Sequence, residues 1–414
     1  MRGQAQWASG FAMLGDHRAL VWSEGVANFQ LWQVALGDES RWMAVGLPPE
    51  LVVFAGQKRE VDDRPYVTVE ASDGVVRLLW VSHGNCEKKR WAMYASLDVA
   101  VHDRADQMSC GYELVQATAV AGELRGKVEW KVARSELTDA LGREIVRVKM
   151  MEMVTPSRGW MLLEGDSVMN SMPEVLLTTV DGGTHWIKKA AWGLPIGTDF
   201  VQVLLPVSDT EAWMALTLPS RQRVSMWHTV SGGNDWVRNP TFAQKAPWCP
   251  ECVEGRYWRW PDADGRICVG VSYYPPNEHS GAVDAPAMGG SVGRVCREKV
   301  ATAWSVPVKM EEPGGAAAAP EAAEEMLSEN GFGLAVVSER GSYRSALWMS
   351  ADDGVSWRKA PGSLRGEDVW VEEMDADKAD VLVLLKSSKD GVGRLMYSGS
   401  DGARWVELAV PAGK

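Results

Sequence analysis

Short apolar runs, mostly four to seven residues long, alternate along the chain with breaks rich in Gly, Asp and Ser. This is the pattern of β-strands joined by tight turns. Four places show it in closely matching form. The runs Val175–Thr178, Val224–His228, Ala346–Met349 and Arg394–Tyr397 each lead into a glycine-containing turn that ends on tryptophan. The turns are Thr179–Trp186, Thr229–Trp236, Ser350–Trp357 and Ser398–Trp405. Upstream of each lies a run with almost no polar position: Gly159–Leu163, Glu211–Leu216, Gly333–Val337 and Asp380–Leu385. Such runs predict inner strands covered on both faces.

The Trp-to-Trp step is 50 residues from Trp186 to Trp236 and 48 from Trp357 to Trp405. A period of this length with several strands per unit predicts a β-propeller. Weaker copies fill the rest. One joins Ala19–Ser23, Phe29–Ala35 and Trp42; another joins Tyr66–Ala71, Val75–Ser82 and Trp91. A third pairs Gly111–Val120 with Lys127–Val132, and a fourth pairs Arg266–Tyr274 with Gly293–Trp304. The fold expected is all-β, a single propeller of seven or eight four-stranded blades spanning 1–414. Closure should join the region Trp7–Leu14 to the last blade near Val410. Two segments interrupt the repeat: a Cys/Trp-rich insertion at 245–296, which includes the Pro-, Gly- and Ala-rich loop Pro275–Gly290, and an acidic Ala/Pro/Gly-rich stretch at 311–325 expected to be disordered.

The turn pattern S/T-x-D-x-G-x-x-W resembles the Asp-box, or BNR repeat. Residues 179–186 and 350–357 fit it, while Ser231 and Ser400 replace Asp in the other two copies. The resemblance implies a propeller of the sialidase-like and photosystem-assembly-factor-like superfamily. It is specific for the blade and unspecific for activity. The chemistry of the residues agrees: a short Asp accepts hydrogen bonds from N–H groups of its own turn, Gly tolerates positive φ, and Trp supplies a broad apolar plate. Asp181, Gly183, Trp186, Asp352, Gly354, Trp357, Gly402 and Trp405 are therefore read as structural Asp-box residues.

Lys and Arg total 43 and Asp and Glu 55, a net charge of −12. This argues against a nucleic-acid surface, which needs clustered cations. No run is long and apolar enough for a transmembrane helix. The six histidines are scattered, with no pair at metal-ligand spacing, and no phosphate loop, nucleophile elbow or dinucleotide fingerprint is present. No cofactor and no metal are expected. A sialidase-like hydrolase needs an arginine cluster to grip a carboxylate. The family's early Arg-Ile-Pro signature is absent; Arg64-Pro65 is the nearest approach.

The segment Trp248–Trp260 is the most unusual. It gathers Trp248, Arg256, Tyr257, Trp258, Arg259 and Trp260, residue types enriched at binding hot spots. These six form the candidate contact surface, weighed against packing into the adjacent blade. Four of the six cysteines, Cys249, Cys252, Cys268 and Cys296, cluster here. Two local disulfides, a zinc site and redox thiols are the alternatives, with disulfides favoured. Disulfides imply an oxidising compartment, so a location outside the cell, in the periplasm or on the cell surface is expected, the leader having been removed; a cytoplasmic location stays open. The function expected is a non-catalytic binding or scaffold propeller for a protein or glycan partner. The alternative is an exo-sialidase type of glycoside hydrolase with diverged motifs.

Overall fold

The computed structural model describes residues 8–24, 29–37, 40–55, 67–83, 112–125, 128–137, 145–165, 174–191, 193–194, 200–218, 223–239, 246–260, 266–274, 291–298, 304–305, 308–309, 323–329, 332–338, 345–350, 358–359, 369–376, 380–387, 393–399, 402 and 404–411. Among these, the strands form seven four-stranded sheets, each an antiparallel meander in sequence order. The first holds β1 (Gly10–Gly15), β2 (Arg18–Glu24), β3 (Phe29–Ala35) and β4 (Arg41–Ala44), and is followed by one short helix, α1 (Pro49–Ala55). The second holds β5 (Val67–Ser72), β6 (Val75–His83), β7 (Tyr112–Val120) and β8 (Lys131–Leu137). The third holds β9 (Ile145–Thr155), β10 (Arg158–Gly165), β11 (Glu174–Thr179) and β12 (Ile187–Lys188). The fourth holds β13 (Phe200–Pro206), β14 (Ala212–Leu218), β15 (Arg223–Thr229) and β16 (Val237–Arg238). The fifth holds β17 (Val253–Trp260), β18 (Arg266–Tyr274), β19 (Ser291–Glu298) and β20 (Val308–Lys309). The sixth holds β21 (Ala323–Glu329), β22 (Phe332–Ser338), β23 (Ser345–Ser350) and β24 (Arg358–Lys359), and the seventh β25 (Val369–Ala376), β26 (Asp380–Ser387), β27 (Gly393–Gly399) and β28 (Trp405–Leu408).

The first strands touch one another in chain order, β1 to β5, β9, β13, β17, β21 and β25, and β25 returns to β1. The sheets thus close into a ring, the arrangement of a β-propeller. Closure does not exchange a strand: β1 pairs with β2, and the last sheet is complete in itself. The seam between them is filled by Phe11, Ala19 and Val21 against Leu382, Leu384, Leu395 and Leu408. The His17 imidazole lies 2.9 Å from the buried Asp380 carboxylate across the same seam.

The second strands, not the first, carry the runs apolar on both faces. Side chains alternate along a strand, so β10 and β14 each feed two seams. On β10, Met161 and Leu163 pack toward the second sheet, while Trp160 and Leu162 pack toward the fourth. On β14, Met214 and Leu216 face the third sheet and Trp213 and Ala215 the fifth. The runs read as inner strands are therefore sandwiched one step out from the ring's centre.

The sequence expectations for three segments meet the following strands. The separate unit expected at 111–132 does not form: β7 pairs with β6 across nine positions and completes the sheet begun by β5. The segment 245–296 supplies β17, β18 and most of β19. Residues 311–322 of the acidic stretch lie outside the described residues, and its last three residues open β21 (Ala323–Glu329).

Candidate functional site

The turn 179–186 is built around two side chains. Thr179 Oγ1 donates to Asp181 Oδ1 at 2.9 Å and accepts from Gly183 N at 2.9 Å. Asp181 Oδ1 accepts from His185 N at 2.9 Å, and His185 Nδ1 lies 2.6 Å from Asp181 Oδ2. Burial opposes the Asp181 charge, but the His185 and Thr179 hydrogen bonds outweigh it and hold the carboxyl below its ordinary value of 3.8. The turn 229–236 repeats the arrangement with a hydroxyl in place of the carboxylate: Ser231 Oγ accepts from Asp235 N at 2.8 Å, and Thr229 Oγ1 accepts from Gly233 N at 3.3 Å. In the seventh sheet Trp405 Nε1 donates to Gly402 O at 3.0 Å, as Trp236 Nε1 does to Gly233 O at 3.2 Å. Residues 351–357, with Asp352, Gly354 and Trp357, lie outside the described residues.

The tryptophans of the turns at 179–186 and 229–236 pack against the preceding sheet. Trp186 meets the second sheet, where its Nε1 donates to Gln116 Oε1 at 3.3 Å, and Gln116 Nε2 donates to Gly182 O at 2.8 Å. Gly183 has φ +90°, and a Cβ there would collide with the Gln116 amide. Trp236 meets Trp160 of the third sheet edge-on at 6.5 Å, and Trp160 Nε1 donates to Ser208 O at 2.8 Å.

The fifth sheet departs from this scheme. Arg297 stands seven residues before Trp304, the place of Thr179 relative to Trp186. Its side chain is buried, and its Nη2 donates to Glu211 Oε1 of the fourth sheet at 2.7 Å. The guanidinium lies 4.9 Å from the centre of the Trp213 ring, the geometry of a cation–π contact. His228 stacks on Trp213 at 4.0 Å and directs Nε2 to the same Glu211 oxygen at 3.1 Å. Burial works against the Glu211 charge; the Arg297 and His228 hydrogen bonds outweigh it and keep the carboxyl below 4.5. His228 is one of the six scattered histidines of the sequence. It is a strand residue, and its register partner is Trp213. The seven-residue offset to Trp304 was the signal that could have found Arg297.

Carboxylates also cap the outer edges of the first strands β1 and β5. Glu24 Oε1 accepts from Val67 N at 3.3 Å, Glu373 Oε2 from Phe11 N at 3.3 Å and Asp375 Oδ2 from Met13 N at 3.0 Å. Each bond joins one sheet to the first strand of the next. Burial, reinforced by the nearby Asp375 and Glu372 charges, pushes the Glu373 carboxyl up to about 8 despite the Phe11 bond. In the third sheet Lys149 Nζ lies 2.5 Å from Glu174 Oε1 and 3.4 Å from Glu164 Oε1. Burial raises the Glu174 carboxyl against the pull of Lys149.

Of the expected contact surface, Trp248 is half-buried, edge-on to Tyr273 at 5.6 Å. Gly293 opposite leaves the room it occupies: a Cβ there would come within 2.9 Å of both rings. Arg256, Tyr257, Trp258, Arg259 and Trp260 lie on β17, the first strand of its sheet; their side chains are outside what the structure describes. Cys249 is bonded to Cys252 and Cys268 to Cys296. Among the described residues no cluster of metal-ligating side chains occurs, and no helix is long and apolar enough to cross a membrane.

No family model matches the sequence, and no curated protein does. Among solved structures, the chain is similar to an ulvan lyase, a polysaccharide lyase, with TM-score 0.49 and 11% identity over 97% of this chain and 96% of that one. It is similar to a prolyl endopeptidase with TM-score 0.50 and 10% identity over 98% of this chain, which spans 50% of that enzyme. It is similar to YCF48 bound to a D1 peptide with TM-score 0.32 and 16% identity over 65% of this chain and 82% of that one. At these identities the likeness is one of fold.

Proposed function

We propose that the chain is a non-catalytic binding propeller of seven blades whose Trp-ended turns are Asp-box turns, and that it offers a rigid face to a protein or glycan partner outside the cytoplasm. The observation that supports this is where the buried arginines are spent. A hydrolase that grips a substrate carboxylate needs an open guanidinium fork. Arg77 and Arg297 are the buried arginines of the described residues. Arg77 donates to Glu70 at 2.7 Å, to Ser72 and to Pro156 O of the next sheet. Arg297 is held by Glu211 and Trp213. Both fasten one blade to another.

The surface proposed for contact runs from Trp248, before β17, along that strand through Arg256–Trp260. The two disulfides suit an oxidising compartment. Incubation with sialoside, arabinan and uronate-polysaccharide substrates tests the reading, with Arg256→Ala/Arg259→Ala as the paired variant. The expected result is no product release, together with retention of a ligand or partner that the variant loses. Turnover by the wild-type chain would contradict the proposal and favour the hydrolase reading.

A further inference from the structure

The two described disulfides differ in exposure, in sequence span and in their place in the fold. Cys268 and Cys296 are register partners on β18 and β19, 0% and 8% exposed, and their bond spans 28 positions of sequence. Cys249 and Cys252 are separated by 3, lie in a turn outside any strand, and are half-buried among exposed Pro247, Pro250 and Glu251. A link closing so short a loop removes little entropy from the unfolded chain, whereas the longer loop removes more. The turn holds its shape by other means. Cys249 N donates to Ala246 O at 3.0 Å and Cys252 N to Cys249 O at 3.1 Å, while Ala246 is buried in the core shared by the fourth and fifth sheets. Trp248 is seated on Tyr273 beside it.

We propose that Cys249–Cys252 is a thiol–disulfide exchange site that reacts reversibly with dithiols while the propeller stays folded, and that Cys268–Cys296 is a permanent strut. The Cys-x-x-Cys spacing keeps both sulfurs within one turn after reduction, so the bond can reform without a search through the chain. In the reaction a thiolate of the dithiol attacks one of the two sulfurs, forming a mixed disulfide and releasing the other cysteine as thiolate. The second thiolate of the same dithiol then displaces the protein sulfur. The dithiol leaves as a cyclic disulfide, having given two electrons, and the protein retains two thiols after protonation. Cys252 directly precedes Val253, the first residue of β17, so the reduced and oxidised forms differ at the start of the first strand of the fifth sheet.

The test uses the intact chain, titrated with dithiothreitol under native conditions, trapped with iodoacetamide and mapped by peptide mass spectrometry. Cys249 and Cys252 are expected to label at concentrations about tenfold below those that label Cys268 and Cys296, with the strand circular dichroism unchanged. Oxidised dithiothreitol is expected to restore the bond. The Cys249→Ser/Cys252→Ser variant should keep a wild-type melting curve, and Cys268→Ser/Cys296→Ser should melt earlier. Simultaneous labelling of all four cysteines, or labelling of Cys249 and Cys252 only with loss of the strand signal, would overturn the assignment.

Discussion

The Arg297 guanidinium on the fifth sheet donates to the Glu211 carboxylate on the fourth at 2.7 Å, from the turn position that threonine fills in the third and fourth sheets. At this position the fifth sheet makes a charged contact to its neighbour, where the third and fourth sheets close a hydroxyl-capped turn. Arg297→Ala should cost about 1.5–3 kcal/mol, the range for hydrogen bonds to charged groups, with part of the loss screened because Glu211 is partly exposed. Glu211→Gln should cost less, since the amide oxygen still accepts. Urea melts of the two variants check the order.

The third and fourth sheets make a matched experiment on the turn. Asp181 and Ser231 receive the same backbone N–H, from His185 and Asp235. Asp181→Ala should destabilise by about 1 kcal/mol, and Asp181→Ser should recover much of it. Equal losses for both variants in a chemical melt would show that the carboxylate is needed for more than this bond.

Trp160 is wholly buried and bonds Ser208 O of the next sheet. Trp160→Ala should cost about 3–5 kcal/mol, the range for emptying an aromatic site. Trp160→Phe keeps most of the volume and leaves Ser208 O without that donor, so its loss should be smaller, about 1–2 kcal/mol. Thermal or chemical denaturation separates the two.

Much of this was legible in the sequence. The strand runs and Trp-ended turns at 179–186, 229–236 and 398–405 set the four-stranded unit, because period-2 burial and glycine turns are local signals. What the sequence could not place was which strand faces the centre. The continuous apolar runs belong to second strands because these are covered by neighbouring blades on both sides, whereas first strands expose a polar edge that Glu24, Glu373 and Asp375 cap. Those carboxylates act on residues as much as 362 positions away, and nothing local marks them. The merging of 111–132 into the second sheet was hidden for the same reason: β7 pairs with β6 across a long intervening segment.

Glu373 makes the closing seam sensitive to pH. Its carboxyl is pushed to about 8 in the folded chain from 4.5. A raised folded value means the native state holds a proton that the unfolded chain releases, so the contribution is full below 4.5 and fades as pH rises through 8. Melting temperature is expected to fall between about pH 5 and pH 8, and Glu373→Gln should flatten that slope. An unchanged slope would remove Glu373 as its source.

The central claim is that the last sheet returns to the first and closes the ring. Met13 N donates to Asp375 Oδ2 at 3.0 Å, across 362 positions of sequence. Cysteines introduced at both positions, Met13→Cys with Asp375→Cys, should be bridged within one chain by a short bismaleimide, which tolerates the unmatched side-chain directions, and give a monomeric, faster-migrating species on a denaturing gel. Cross-linked dimers alone, or no new bond, would contradict closure.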